Sequence, residues 1–273
     1  MNTAIKGVIL AGGKGLRLYP LTKVTNKHLL PVGKEPMIFN PLHKLLEAGV
    51  NDILIVTSTD QMGSIVNLLG SGVEFGCHFT YKVQDQASGI AHALSLAEDF
   101  AGQQKIVVIL GDNITTGSIT AHVDRFRQQE KGARVLLKRV DDPQRYGVAA
   151  IDEKQVVEIE EKPQSPKSNF AVIGYYMYDS SVFEIIRTMK PSGRGEYEIT
   201  DVNNEFIRRG QLQYDFLDAE WTDAGTFESL LVANQMVMNT SAAAKSNLVS
   251  PEQLKEMITS FEQKIAELKK HLD

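Results

Sequence analysis

Near the start of the chain an apolar run ends in a glycine-rich turn followed by an arginine: Leu10-Ala11-Gly12-Gly13-Lys14-Gly15-Leu16-Arg17-Leu18-Tyr19-Pro20. Glycines allow backbone N–H groups to approach anionic oxygens, so such a turn can nest a phosphate. It is not the dinucleotide fingerprint, because Leu18 stands where G-x-G-x-x-G needs its last glycine. It is not a Walker A loop either, since no Gly-Lys-Ser/Thr closes it at the required spacing. Taken alone, the loop reads equally well as a tight structural turn. Lys27 adds a further cation ten residues after Arg17, in Asn26-Lys27-His28-Leu29-Leu30-Pro31-Val32.

A loop of this kind needs a strand behind it and helices to hold it. Near-continuous apolar runs at 7–11, 52–57, 79–83 and 106–110 predict central strands covered on both faces. Helical patterns at 37–48, 61–69 and 89–100 alternate with them, and Gly49 is a C-terminal stop for the first. The second half is richer in strands, at 133–140, 147–151, 156–161 and 171–178, followed by helices at 180–189, 199–209 and 226–238. Strand–helix alternation giving way to neighbouring strands predicts an α/β fold with a central mixed β-sheet flanked by helices.

Composition narrows the class. With 273 residues, 42% hydrophobic and 23% charged, the chain matches ordinary globular usage. A net charge of −5 argues against a nucleic-acid partner, which calls for a basic face. The single cysteine, Cys77, cannot form an internal disulfide, and no apolar run is long enough to span a membrane, so a cytoplasmic location is expected. The stretch 240–247 is small and polar, and a linker is expected over 239–249. Beyond it, Ser250-Pro251-Glu252-Gln253 has capping-box residue types, and Leu254, Ile258, Phe261, Ile265, Leu268 and Leu272 form a heptad seam. A C-terminal amphipathic helix over 250–273 is therefore expected, packed on its own domain or pairing subunits into a homo-oligomer.

Taken with Asn26 to Val32, the glycine loop resembles the signature of sugar-1-phosphate nucleotidyltransferases. The resemblance continues in order through Pro36-Met37-Ile38, Val83-Gln84, Leu110-Gly111-Asp112-Asn113, Arg145-Tyr146-Gly147-Val148 and Glu160-Glu161-Lys162-Pro163. It runs on through Pro166-Lys167-Ser168-Asn169, Arg194-Gly195-Glu196, Glu198-Ile199-Thr200-Asp201 and Trp221-Thr222-Asp223-Ala224-Gly225-Thr226. Within that family the set looks most like glucose-1-phosphate thymidylyltransferases, in a short form. The resemblance implies a Rossmann-like nucleotidyltransferase domain over 1–238, with a nucleotide side at about 1–115 and a sugar side at about 116–238. It implies dTTP and glucose 1-phosphate as substrates and Mg²⁺ as cofactor. The same chemistry with UTP, CTP or another sugar 1-phosphate, and a non-catalytic nucleotide-sugar sensor, are the alternatives.

The roles implied follow the needs of phosphoryl chemistry, in which two anions must be brought together by positive charge. Arg17 suits the β- and γ-phosphates, Lys27 the triphosphate and Lys162 the incoming sugar phosphate, as the catalytic set. Leu10, Gly12, Gly13, Gly15, Lys27, Gln84, Gly89 and Asp112 would form the nucleotide site. Gln84 offers a donor and an acceptor to the base, fitting thymine or uracil, or cytosine if the amide flips. Tyr146, Gly147, Glu161, Lys162 and Val172 would form the sugar site, and Asp112 and Asp223 would hold the metal. Four positions depart from the family pattern. Leu16 replaces a threonine, Lys14 adds a cation at a small position, His28 stands for a common Gln, and Phe227 for a common His. No expected charged group is missing, so an active enzyme is expected.

Overall fold

A computed structural model describes residues 4–246, with the helix backbone alone for 241–246. The chain runs β1 (Ile5–Ala11), the short strands β2 (Pro31–Val32) and β3 (Glu35–Pro36), α1 (Phe39–Glu47), β4 (Asp52–Ser58), α2 (Met62–Leu69) and β5 (His78–Gln84). Next come α3 (Ile90–Ser95), α4 (Glu98–Ala101), β6 (Lys105–Leu110), β7 (Asn113–Thr115), α5 (Thr120–Gln128) and β8 (Ala133–Arg139). The second half continues with β9 (Gly147–Asp152), β10 (Gln155–Glu161), β11 (Phe170–Tyr178), α6 (Ser181–Thr188) and α7 (Ile199–Arg208). It closes with β12 (Leu212–Phe216), β13 (Trp221–Asp223) and α8 (Phe227–Ser246).

Nine strands form one mixed sheet. From one edge it reads β10-β9-β11-β6-β1-β4-β5, with β8 also on β11 and β12 on β8. The β6-β1-β4-β5 part is parallel, and β11 meets β6, β8 and β9 antiparallel. Side-chain alternation along the strands divides the core between the two faces. Val8 and Leu10 of β1 join Val56, Val108, Leu94 and Phe206 on one side. Ile5, Ile9 and Ala11 join Ile55, Ile109, Leu42, Leu45 and Phe126 on the other. A third cluster, with Leu18, Leu30, Met37, Ile114 and Ala233, pins the segment after the glycine loop against α8.

β11 holds two partners on one flank: β9 along its first half, at Ala171 and Val172, and β6 along its second, from Tyr175 to Tyr178. On the opposite flank its register with β8 shifts between Val172 and Tyr176. The sheet thus forks beside Gly174, which lines a cavity of about 450 Å³.

Several elements depart from the sequence reading. The helix expected over 89–100 is two helices, because Ala97 N–H donates to Leu94 O, three residues back, and tightens the ladder there. α5 and the strands β7, β12 and β13 carry too little apolar periodicity to stand out. The linker expected from 239 is helical through Ser246, where α8 continues across Ala242-Ala243-Ala244, a run of the best helix former. The helix expected over 250–273 lies outside the described residues. Among the described residues no helix is long and apolar enough to cross a membrane.

Candidate active site

Two adjoining cavities lie at the C-terminal ends of β1, β5 and β6, where open α/β sheets hold their ligands. The smaller, about 290 Å³, is lined by Leu10, Gly12, Gly13, Lys27, Gln84 and Gly89, among others. The larger, about 450 Å³, is lined by Arg17, Tyr146, Gly147, Val172 and Asp223 together with Arg145 and Trp221. Asp112, Glu161 and Lys162 line both and form the wall between them.

The glycine loop earns its residues by close approach. A Cβ on Gly12 would stand 3.0 Å from Gln84 Oε1. Gly15 has φ +62° and a Cβ there would meet Lys27 Cβ and Thr22 Cγ2 at 2.9 Å, so it shapes the loop without lining either cavity. Lys27 is placed by a short 3-10 turn, Lys27–Leu29, whose N-cap Asn26 accepts from the His28 N–H at 2.7 Å. From there Lys27 Nζ donates to Asp112 Oδ2 at 2.5 Å.

Asp112 follows β6 and is held on its other oxygen by Asn113 Nδ2, at 3.1 Å. Burial is the largest influence and opposes its charge, but Lys27, His28 and the bonds from Lys27 and Asn113 together outweigh it and hold the carboxyl well below the usual carboxylate range. Asn113 is itself wedged into the fork. Its Oδ1 accepts from Gly174 N–H and Trp221 Nε1–H, each at 2.9 Å. A Cβ on Gly174 would stand 2.6 Å from Asn113 Cγ. His28, buried behind Lys27, is pushed down to about 3 by burial and by the Lys27 charge, against the pull of Asp112.

Asp223 reaches the same place from β13, which pairs with β7 so that Asp223 lies across from Asn113. Ala224 N–H donates to Asp112 O at 2.8 Å. Arg145 Nη2 and the Tyr146 hydroxyl donate to Asp223 Oδ1 at 3.0 and 3.1 Å. Burial and then the neighbouring Asp112 charge raise this carboxyl, against Arg145, Tyr146 and Arg17. Two carboxylates that repel each other and line one cavity suit a hard divalent cation. Among the described residues no third His, Cys, Asp or Glu joins them. Such an ion would complete its shell with waters or phosphate oxygens, the arrangement Mg²⁺ favours.

Arg17 and Lys162 face one cavity, although 145 positions separate them in sequence. Arg17 sits on the Asp223 side, with Nη2 2.8 Å from where a Gly225 Cβ would be. It lines the larger cavity, whereas Lys27 lines the smaller. Lys162 follows β10 in a left-handed conformation, φ +47°, and its N–H donates to Tyr146 O at 2.9 Å. For a non-glycine residue that geometry is uncommon and marks a constrained site. Glu161 accepts from Thr200 Oγ1 at 2.6 Å and from Arg194 Nη2 at 3.3 Å.

Gln84 differs from its expected pose. Its Nε2 lies 3.3 Å from Gly89 O and 2.9 Å from His92 Nδ1, so both amide hydrogens are taken when His92 carries its proton on Nε2. It offers the smaller cavity an acceptor alone. Gly89, at φ +99°, passes under the backbone of Tyr197, where a Cβ would come within 2.5 Å of Tyr197 O. Lys14 is exposed and lines neither cavity; its charge is felt at Asp60. Leu16 and Phe227 are exposed too.

Arg145 and Arg194 were missed as site residues. Both lie in motifs that carry the resemblance, and an arginine in a short motif next to Tyr146-Gly147 or Glu196 was the available signal. Arg194 clamps the buried Glu198 with two bonds of 2.9 Å from Nη2, and both residues line the smaller cavity.

A phosphate-nesting loop, cations on both sides of a paired carboxylate wall and two joined cavities define a site for transferring a nucleotidyl group. The chain belongs to the nucleotidyl transferase family, whose model it matches over residues 6–240. It is similar to the glucose-1-phosphate thymidylyltransferase of Neisseria meningitidis serogroup A, 41% identical over 254 residues, or 92% of this chain and 88% of that one. Its fold matches the crystal structure of a provisionally assigned glucose-1-phosphate thymidylyltransferase from Bacillus anthracis in complex with sucrose. The TM-score is 0.83 at 57% identity, covering 85% of this chain and 94% of that one. A UDP-glucose pyrophosphorylase complexed with UDP-glucose matches at TM-score 0.77 and 26% identity, covering 86% of this chain and 99% of that one.

Proposed function

We propose that the chain joins dTTP and glucose 1-phosphate into dTDP-glucose. A sugar phosphate oxygen attacks the α-phosphorus of dTTP in line. As that P–O bond forms, the bond to the β-phosphate oxygen breaks and pyrophosphate leaves. The observation that carries this reading is the shared wall: Asp112 and Lys162 border both cavities, so one phosphate from each side can meet between them.

The smaller cavity takes the nucleotide. Its glycine loop admits phosphate oxygens to the backbone, and Lys27, oriented by Asp112, faces them. The Gln84 acceptor suits the N3–H of thymine or uracil and opposes the bare N3 of cytosine. The larger cavity takes the sugar phosphate, with Lys162 on the attacking phosphate and Glu161 accepting from sugar hydroxyls. Tyr146, Gly147 and Val172 shape its floor. Arg17, facing this cavity from the Asp223 side, balances charge that develops as the two anions meet. Asp112 and Asp223 would hold Mg²⁺, which when bound supplies neutralising charge to the phosphates.

Pyrophosphate release by the purified full chain, over a matrix of dTTP, UTP and dCTP against several sugar 1-phosphates with Mg²⁺, tests the reading. The highest kcat/KM is expected for dTTP with glucose 1-phosphate. Binding of dTDP-glucose without turnover of any pair would instead make the chain a sensor. The substrates and the lone cysteine support a cytoplasmic location. The seam at 254–272 supports a homo-oligomer, and removal of residues 249–273 should lower the mass seen by light scattering.

A further inference from the structure

His92 lies outside the reacting groups, yet it faces the one side chain that reads the base. It sits on the first helix after β5, and its Nδ1 is 2.9 Å from Gln84 Nε2. Gly89 O lies 3.3 Å from the same nitrogen. A carbonyl oxygen only accepts, so the amide nitrogen must point that way. With one hydrogen directed at Gly89 O, the other is directed at His92 Nδ1, which accepts only in the neutral tautomer protonated on Nε2. Turning the amide over would set Gln84 Oε1 against two acceptors and lose both bonds. The result is a fixed Oε1 above the glycine loop, 3.0 Å from where a Gly12 Cβ would stand.

The histidine is anchored in turn. Its ring stacks on Tyr197, centroids 6.1 Å apart at 30°. The Tyr197 backbone clasps the start of the helix, accepting from Ala91 N–H at 3.1 Å and donating to Ser88 O at 2.9 Å. Without His92 the amide is held by the longer bond to Gly89 O alone, and both orientations become accessible.

We infer that His92 is a positioning residue for base selection: by accepting from Gln84 it locks the acceptor face of the amide toward the nucleotide, where that oxygen suits the N3–H of thymine or uracil and opposes the bare N3 of cytosine. This rests on the assignment of the smaller cavity to the nucleotide. A structural role and a hydrogen-bonding role are separable by two variants. His92→Phe keeps the ring stacked on Tyr197 and removes the acceptor. His92→Asn loses the ring and keeps an acceptor, Oδ1, close to the Nδ1 position.

The measurement is the ratio of the inhibition constant of dCTP to the KM of dTTP during turnover of the full chain, with melting temperature recorded for each variant. His92→Phe is expected to lower that ratio about 3- to 10-fold, the cost of one neutral hydrogen bond, mainly through KM. His92→Asn is expected to stay within about 2-fold of the unmodified chain. The reverse order, with His92→Phe unchanged and His92→Asn impaired, or equal ratios in all three chains, overturns the inference. An unmodified chain that prefers dCTP, or that turns over no triphosphate, overturns instead the nucleotide assignment beneath it.

Discussion

The two cavities reach similar chemistry by different means. The smaller sets glycines at the ends of parallel strands, Gly12, Gly13 and Gly89, opposite charged side chains, with Lys27 on Asp112 and Arg194 on Glu198. The larger relies on long charged side chains carried by antiparallel strands and turns, with Arg145 on Asp223 and Arg17 beside them. The difference teaches that close packing and charge pairing are alternative ways to fix a polar site. In the first, a misplaced methyl does the damage; in the second, a lost partner does.

The wall between them should be the most sensitive point. Asp112→Asn removes a proposed metal ligand and leaves Lys27 without its buried counter-charge, so kcat is expected to fall about 10²–10³-fold. A loss under tenfold in steady-state pyrophosphate release would detach this carboxylate from the chemistry.

Next in size is a pH effect behind the smaller cavity. The unfolded chain protonates His28 near 6.5 but the folded chain only at about 3. Stability is therefore lost as pH falls from 6.5 toward 3, on the order of a few kcal/mol. Asp112, whose carboxyl is depressed, loses stability in the same direction below its ordinary range, and Asp223, whose carboxyl is raised, gains it as pH falls. Urea midpoints measured from pH 7 to 4 should flatten in His28→Gln; an unchanged slope would place the titration elsewhere.

Packing should dominate on the nucleotide side. Gly89→Ala meets the Tyr197 backbone and a left-handed φ together, and is expected to cost about 1–3 kcal/mol in thermal or urea unfolding. On the sugar side the smallest change is expected. Glu161→Gln keeps shape but loses charge, raising the KM for glucose 1-phosphate about 3- to 10-fold while the KM for dTTP holds. If both constants rise together, the division of labour between the cavities is wrong.

The parallel half was largely legible in sequence, because β1, β4 and β6 carry continuous apolar runs, and β1 and β6 run straight into glycine. The expected Asp112, Lys162 and Asp223 converge in space. Less was legible where partners come from afar. The pairing of Arg145 with Asp223 spans 78 positions, and nothing local announces it. β12 and β13 are short and half-polar, so alternation is weak. The Gln84 pose depended on His92 and Gly89 O, contacts that a residue type alone does not specify. The extension of α8 into 239–246 reflects alanine propensity outweighing a small, polar composition.

The fork at β11 has a consequence for changing this protein's substrates. One strand serves two neighbours along one flank, and Asn113 fills the notch where they part, tied to both Gly174 and Trp221. The β9–β10 hairpin hangs from the first half of β11 only, so its residues can be exchanged without disturbing the β6 ladder. On the proposed division of the cavities, acceptor preference is best redesigned at the Gly147 end of that hairpin, which lines the larger cavity alone, leaving the asparagine and Glu161, which borders both, in place.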